Sequence, residues 1–316
     1  ARGRLKGKKI RLQASGGAVL VASGSHVGWA SMVSPGVYRV RDMAPRGFRV
    51  LARSSLEEAA QANRAYVERL AAEARAFIER EARGRRVYVA VSGGIDSSVA
   101  ATLTVEALGP DRVTLVYADT GMEWPESRRV VERLASRLGA RLDVVTPRRD
   151  PLEIIGERGL MGRDNRWCTR LLKLEPLREY YRRARDPLIV EGVRAYESTA
   201  RARQARRGVN PALGVERILP ILHWTRLEVQ LYAILRGVEA SPLYEQGLVR
   251  IGCIACPAMT LHELRLARSL QPSFYHRLAE AVARACGISV EEALEWIMEG
   301  GWRRLGGCPR GGASVA

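Results

Sequence analysis

Nowhere in the 316 residues does an apolar run approach the roughly 20 residues that a bilayer-spanning helix needs. The basic N-terminus is not followed by an unbroken apolar stretch, so no secretory leader is expected. Cysteine is scarce: five residues, an odd number in a long chain, do not resemble the disulfide framework of a small secreted domain. The expectation is a cytoplasmic protein without membrane association, whose cysteines serve metal or redox chemistry. Lysine is nearly missing beyond Lys9, where only Lys173 occurs, so arginine carries the net charge of +17. Acids are missing from one segment in particular. Residues 1–53 hold eleven Lys and Arg against a single acid, Asp42, whereas the rest of the chain holds forty bases against thirty-three acids. A general bias toward arginine would raise charge everywhere without stripping acids from one segment. The asymmetry points to an N-terminal module that faces nucleic acid.

An apolar content of 47% is ample for a folded core in one or two domains. Within residues 1–53, short apolar or alternating runs at 18–22, 36–40 and 48–51 are punctuated by Gly and Pro, which reads as a small β-rich module. It faintly resembles PUA-type RNA-binding modules. Ser55-x-x-Glu58 is a capping box that opens a linker helix over 54–84. From Arg86 the pattern alternates, with strands over 87–91, 112–119, 141–146 and 187–193. Helices fall over 97–108, 125–138 and 151–157, and a basic helical stretch covers 171–185. Repeated βα units give an α/β fold: a parallel sheet with helices on both faces, spanning a nucleotide domain over 85–257. A helical C-terminal region follows over 258–316, with capping boxes at Thr260/Glu263 and Ser289/Glu292.

Ligands of such sheets bind beyond the C-terminal strand ends, so those ends carry the candidate site. The first strand breaks into Ser92-Gly93-Gly94-Ile95-Asp96-Ser97-Ser98 and then a helix. Converging backbone N–H groups, glycines that admit close approach and a helix dipole make that turn an anion cradle. The second strand ends at Asp119-Thr120, and the fourth leads through Gly192 to Arg194. Arginine is a natural partner for polyphosphate, and Arg194 stands immediately after a strand. Arg201, Arg203, Arg206 and Arg207 read as a solvated helical face. Cys253-Ile254-Ala255-Cys256-Pro257 is a CxxC arrangement common in Zn and Fe–S sites. Cys286, in an Ala-rich helix, reads as a buried core thiol.

The runs SGGIDSS, YADTGMEWPES, RWCTRLLKLEPL and EGVRAYESTAR occur in the order seen in the PAPS reductase family. That family lies within the PP-loop ATP pyrophosphatase (adenine nucleotide α-hydrolase, HUP-like) superfamily and also includes phosphorothioation proteins of DNA-modification systems. The resemblance implies an ATP site with Mg²⁺, in which Ser92, Gly93, Gly94, Ile95, Asp96, Ser97 and Ser98 hold phosphate. Asp119 and Thr120 would lie near the nucleotide, and Gly192 and Arg194 would complete the pocket. Lys173 would reach toward phosphate or substrate, and Cys168 would lie near the active site. With Asp96 and Arg194, these two make up the expected catalytic set. A [4Fe–4S] cluster on Cys168, Cys253 and Cys256, with Cys308 or an exogenous sulfur as fourth ligand, is the leading cofactor expectation. Zn²⁺ is the alternative, with His262 as a spare ligand. The activity this favours is ATP-dependent thiolation of RNA, with tRNA bound through residues 1–53 and a sulfur donor as second partner; a homodimer stays open. The alternatives are reduction of PAPS or APS to sulfite and DNA phosphorothioation. The reductases carry a reactive cysteine in a Glu-Cys-Gly-Leu-His tail, whereas this chain reads Gly306-Gly307-Cys308-Pro309.

Overall fold

A computed structural model describes residues 7–14, 17–23, 26–45 and 55–309. The strand expected over 48–51 lies outside that range. The chain begins with β1 (Lys9–Arg11), β2 (Ala18–Ser23), β3 (His26–Ser34) and β4 (Val37–Pro45), joined in an antiparallel sheet of order β1-β4-β3-β2. Its even-numbered residues Ala30, Met32, Tyr38 and Val40 point to one face and form a small core; a register shift in the β3–β4 pairing lets Met43 join them.

Helix α1 (Leu56–Ala62) opens with the expected capping box, Glu58 N donating to Ser55 Oγ at 3.1 Å. The anticipated single linker helix breaks at Asn63, after which α2 (Arg64–Ala82) begins. Then come β5 (Val87–Val91), α3 (Ile95–Leu108), β6 (Val113–Ala118), α4 (Pro125–Leu138) and β7 (Arg141–Val145). Next are α5 (Pro151–Arg158), a π-helical stretch over Thr169–Leu174, α6 (Glu175–Arg182), β8 (Leu188–Glu191) and α7 (Thr199–Ala202). A hairpin of β9 (Arg207–Asn210) and β10 (Val215–Ile218) and helix α8 (Arg226–Leu235) precede the C-terminal helices α9 (Leu261–Leu270), α10 (Pro272–Cys286) and α11 (Val290–Glu299).

The second sheet has order β7-β6-β5-β8-β10-β9. β5 runs parallel to both β6 and β8, and β10 runs parallel to β8, as the βα alternation requires. β9 pairs antiparallel with β10 at the edge, so the sheet is mixed. The arginines read as a solvated helix are therefore divided: Arg201 lies within α7, while Arg207 starts β9 and bridges Glu81 and Glu216, each at 2.8 Å. β6 and β8 are almost wholly buried, which explains their continuous apolar reading.

The chain divides into two compact units. The α/β unit comprises Ser54–Arg148 and Thr169–Pro242. The other unit, Ala1–Arg53 with Arg149–Cys168 and Leu243–Ala316, contains all five cysteines and is called the cysteine unit below. Sequence grouping placed 149–168 and 243–257 with the nucleotide domain. They cluster instead with the N-terminal sheet and C-terminal helices, because α5 packs on α10, α9 packs on β3, and Leu160 bridges Gly307 through two backbone hydrogen bonds of 3.1 and 2.7 Å. Among the described residues no helix is long and apolar enough to cross a membrane.

Cys286 and Cys308 form a disulfide in the cysteine unit, with Cα atoms 5.5 Å apart. Cys286 is thus not a free core thiol, and Cys308 has no thiolate to offer a metal. The bond closes a loop of sequence separation 22. Cys308→Ser is expected to lower stability by about 3 kcal/mol, chiefly by freeing the unfolded chain. A calorimetric melt checks this: a reductant should lower the Tm of the wild type to that of the variant and leave the variant unmoved.

Candidate functional site

β5 has β6 on one side and β8 on the other, and the chain leaves β5 first toward β6. A crevice opens where such a sheet reverses its strand order. Three candidate segments follow those three neighbouring strands: 92–98 after β5, 119–120 after β6 and 192–194 after β8.

The loop after β5 is held by its own serines. Ser92 N donates to Ser97 Oγ at 3.2 Å, Gly94 N to Ser92 Oγ at 3.4 Å, and Ser97 Oγ to the Gly94 carbonyl at 2.8 Å. Ser98 Oγ donates to the same carbonyl at 3.2 Å. Gly93 has φ +75°, and a Cβ there would stand 2.8 Å from the Ser127 backbone. Only glycine fits both the dihedral and the space. Gly94 is the N-cap of α3 and brings no side-chain cap, while Ile95 is buried as the anchor of the first turn. Residues 97–104 are buried on every side, so α3 is the central helix of the unit.

Asp96, in the first turn of α3, meets Arg194 through two hydrogen bonds: Nε to Oδ1 at 2.8 Å and Nη2 to Oδ2 at 3.3 Å. The Arg194 side chain is 7% exposed, and Asp96 is 18% exposed. Arg226 approaches the same carboxylate at 3.7 Å. Sequence reasoning missed Arg226. The overlooked signal was a capping box, Thr225-x-x-Glu228, which starts α8 and fixes the residue that follows the cap. Gly192 lets β8 run against the loop: a Cβ there would lie 2.6 Å from the Asp96 carbonyl oxygen and 2.8 Å from Ser97 Cα.

Asp119 closes an Asx turn, its Oδ1 accepting from Gly121 N at 3.0 Å while Oδ2 stands 3.5 Å from Arg128. Thr120 is buried and donates to Glu123 Oε1 at 3.0 Å. Lys173 is exposed on the π-helical stretch of the same unit, a departure from α geometry that often marks function. Cys168, expected beside the nucleotide, belongs to the cysteine unit.

In the cysteine unit the CxxC loop precedes α9. Cys256 is buried, Cys168 and Cys253 are half-buried, and none of the three is in a disulfide. Arg250 Nη2 donates to Cys256 Sγ at 3.3 Å, and the Tyr275 hydroxyl on α10 pins the loop by donating to the Ile254 carbonyl at 2.9 Å. Burial, then the nearby Cys256, pushes that hydroxyl above the usual phenol range. Among the described residues no three His, Cys, Asp or Glu side chains come together as a metal-ligand set. With Cys308 held by Cys286, the fourth position of the anticipated cluster falls to the alternative, an exogenous sulfur.

A Gly-rich phosphate loop between parallel β5 and a buried helix, opposed by a buried arginine from the adjacent strand, defines a PP-loop nucleotide-binding domain. Residues 86–259 match the phosphoadenosine phosphosulfate reductase domain, and the chain belongs to that family. It is 36% identical over 221 residues to an uncharacterized protein of Methanocaldococcus jannaschii, covering 69% of this chain and 45% of the relative. It is 31% identical over 173 residues to adenosine 5'-phosphosulfate reductase of Streptomyces coelicolor, covering 54% of this chain and 72% of that enzyme. The chain spans 45% and 50% of the length of the first two curated relatives it matches. A crystal structure of phosphoadenylyl-sulfate reductase from Candida auris in complex with phosphate aligns with TM-score 0.46 at 20% identity, over 64% of this chain and 97% of that one.

Proposed function

We propose that the protein is an ATP-dependent sulfurtransferase that thiolates a base in RNA, with tRNA as the substrate class. One observation supports this above the others: the acid-poor, basic N-terminal sheet shares a compact unit with the cysteines, and an enzyme acting on a small sulfonucleotide has no use for such a sheet. In the first step the base carbonyl oxygen attacks the α-phosphorus of ATP, forming an O–P bond and expelling pyrophosphate. In the second a sulfur nucleophile attacks the base carbon and expels AMP.

The residues divide the work accordingly. Backbone N–H groups of 92–98 and the α3 dipole hold the departing pyrophosphate. Arg194 supplies a fixed cation, and Asp96 keeps its guanidinium aligned while offering an oxygen to Mg²⁺ when the metal is bound. Lys173 steadies phosphate charge during transfer. The sulfur is handled by thiols of the cysteine unit, and no step here requires a cluster.

Reduction of APS or PAPS is the second reading, favoured by the name of the Streptomyces coelicolor relative. The engagement of Cys308 with Cys286 argues against that tail acting as the nucleophile while the disulfide stands. The test is incubation with ATP, sulfide and total tRNA, with a DNA duplex in parallel. Thionucleosides in the RNA digest, with AMP and pyrophosphate released, are the expected result. Sulfite formed from APS or PAPS with a thiol reductant and no ATP would overturn it, as would phosphorothioate in the DNA arm alone.

A further inference from the structure

The cysteine unit gathers cations that its acids do not match. Arg41 on β4 donates from Nε to the fully buried Ser31 hydroxyl at 2.6 Å. Arg250 donates to Cys256, and Arg303, just after α11, donates from Nη1 to the Met259 carbonyl and from Nε to the Gly300 carbonyl. Burial, then Arg39, lowers the pKa of Arg41; Arg250 adds to this and Glu263 offsets part of it. Burial, then Arg163, lowers that of Arg303, again with Glu263 in partial opposition. Glu263 is thus the shared acid. It is 4% exposed, and its carboxylate already accepts from Thr260 N at 2.8 Å to close the α9 capping box. Among the described residues none of Arg41, Arg163, Arg250 and Arg303 stands within 4.0 Å of a carboxylate, and the segments outside that range contain no Asp or Glu. Guanidinium groups this short of acids are stabilised by an incoming anion.

The pattern indicates which anion. Arg41 donates to Ser31, which pairs directly across the sheet with Arg39, so the two arginines lie on one face. Lys9 pairs across the sheet with Arg39, and Lys8, Lys9, Arg11 and Arg39 are exposed. A free oxyanion would need only the innermost cations; a row that starts on the open sheet and continues to the cysteine loop suits a polyanion.

Resting on the RNA reading above, we infer that Arg39, Arg41 and Arg250 form a track for successive phosphates of an RNA strand, which leads a nucleotide to the Cys253–Cys256 loop. The probe is a labelled single-stranded RNA oligonucleotide, titrated against the full chain with its disulfide intact at several salt concentrations. Arg39→Gln and Arg250→Gln, both at exposed positions, should each reduce the slope of log K against log[salt] by about 0.7, the value of one lost phosphate contact on a single strand. Arg277→Gln, exposed on α10, should leave the slope unchanged. Bound RNA should slow alkylation of Cys253 by iodoacetamide, read by peptide mass mapping, and Arg250→Gln should abolish that protection.

Unaltered slopes in both variants, or RNA that binds without protecting Cys253, would overturn the track. So would sulfate at equal ionic strength protecting Cys253 as fully as RNA, because the site would then be one for a small oxyanion. A protein that shows the track but forms no thionucleoside would instead refute the sulfurtransferase reading, so the two failures are distinguishable.

Discussion

Gly192→Ala will reduce nucleotide affinity by roughly two orders of magnitude, in line with what a misplaced phosphate cradle costs. The added methyl would stand 2.6 Å from the Asp96 carbonyl oxygen, 2.7 Å from its carbonyl carbon and 2.8 Å from Ser97 Cα. These are backbone atoms of the first turn of a helix buried on all sides, so they cannot rotate away as a flexible side chain would. Either β8 or the loop must shift, and both border the candidate site. The overpacking itself costs about 1–3 kcal/mol. Calorimetric titration with ATP, beside a denaturant melt, separates the two effects. An affinity within a few-fold of wild type would show that the loop is not the phosphate site.

Arg194→Ala is expected to be the second severe change, and Arg226→Ala a mild one. Both arginines face Asp96, but Arg194 is bidentate and 7% exposed, whereas Arg226 lies 3.7 Å away and is 28% exposed. Removing one partner of a buried pair costs about 3–5 kcal/mol, because the other charge is left without its counter-ion. An exposed partner contributes under about 1 kcal/mol. A double-mutant cycle on Asp96 and Arg194 should therefore return a coupling of about 1–3 kcal/mol in denaturant unfolding, and the Asp96–Arg226 cycle close to none. Nucleotide turnover should fall about 10²–10³-fold in Arg194→Ala, the range for losing one fixed electrostatic contact. Equal effects for the two arginines would mean that burial does not rank them.

Much of this site was legible in the sequence. The strand-to-loop transition at Ser92 and the positions of Asp96, Gly192 and Arg194 follow from local rules: buried strands read as apolar runs, and a Gly pair after a strand marks close approach. The capping boxes at Ser55, Thr260 and Ser289 all formed as read, because each is closed within four residues. What stayed hidden depends on contacts distant in sequence. Arg226 reaches Asp96 only because α8 packs against α3. The β9–β10 hairpin is short and Arg-rich, so its hydropathy resembles that of a solvated helix end. The pairing of Cys286 with Cys308 depends on how the C-terminal segment folds back along Leu160, which no spacing rule encodes. The same holds for Cys168, which adjoins a nucleotide-family motif in sequence yet clusters with the other unit.

The cysteine unit is built from three stretches of chain, and that has a consequence for how the protein is made. Strands β1–β4 leave the ribosome well before α9, which packs on β3. At about 5–20 residues per second, the nascent sheet waits on the order of ten seconds or more for its partners. During that interval Leu20, 90% exposed even in the finished fold, is joined by apolar surface that α9 will later cover. The acid-poor composition of this segment then acquires a second meaning: like charges repel, and the net +10 of residues 1–53 works to keep neighbouring chains on a polysome apart until those helices arrive.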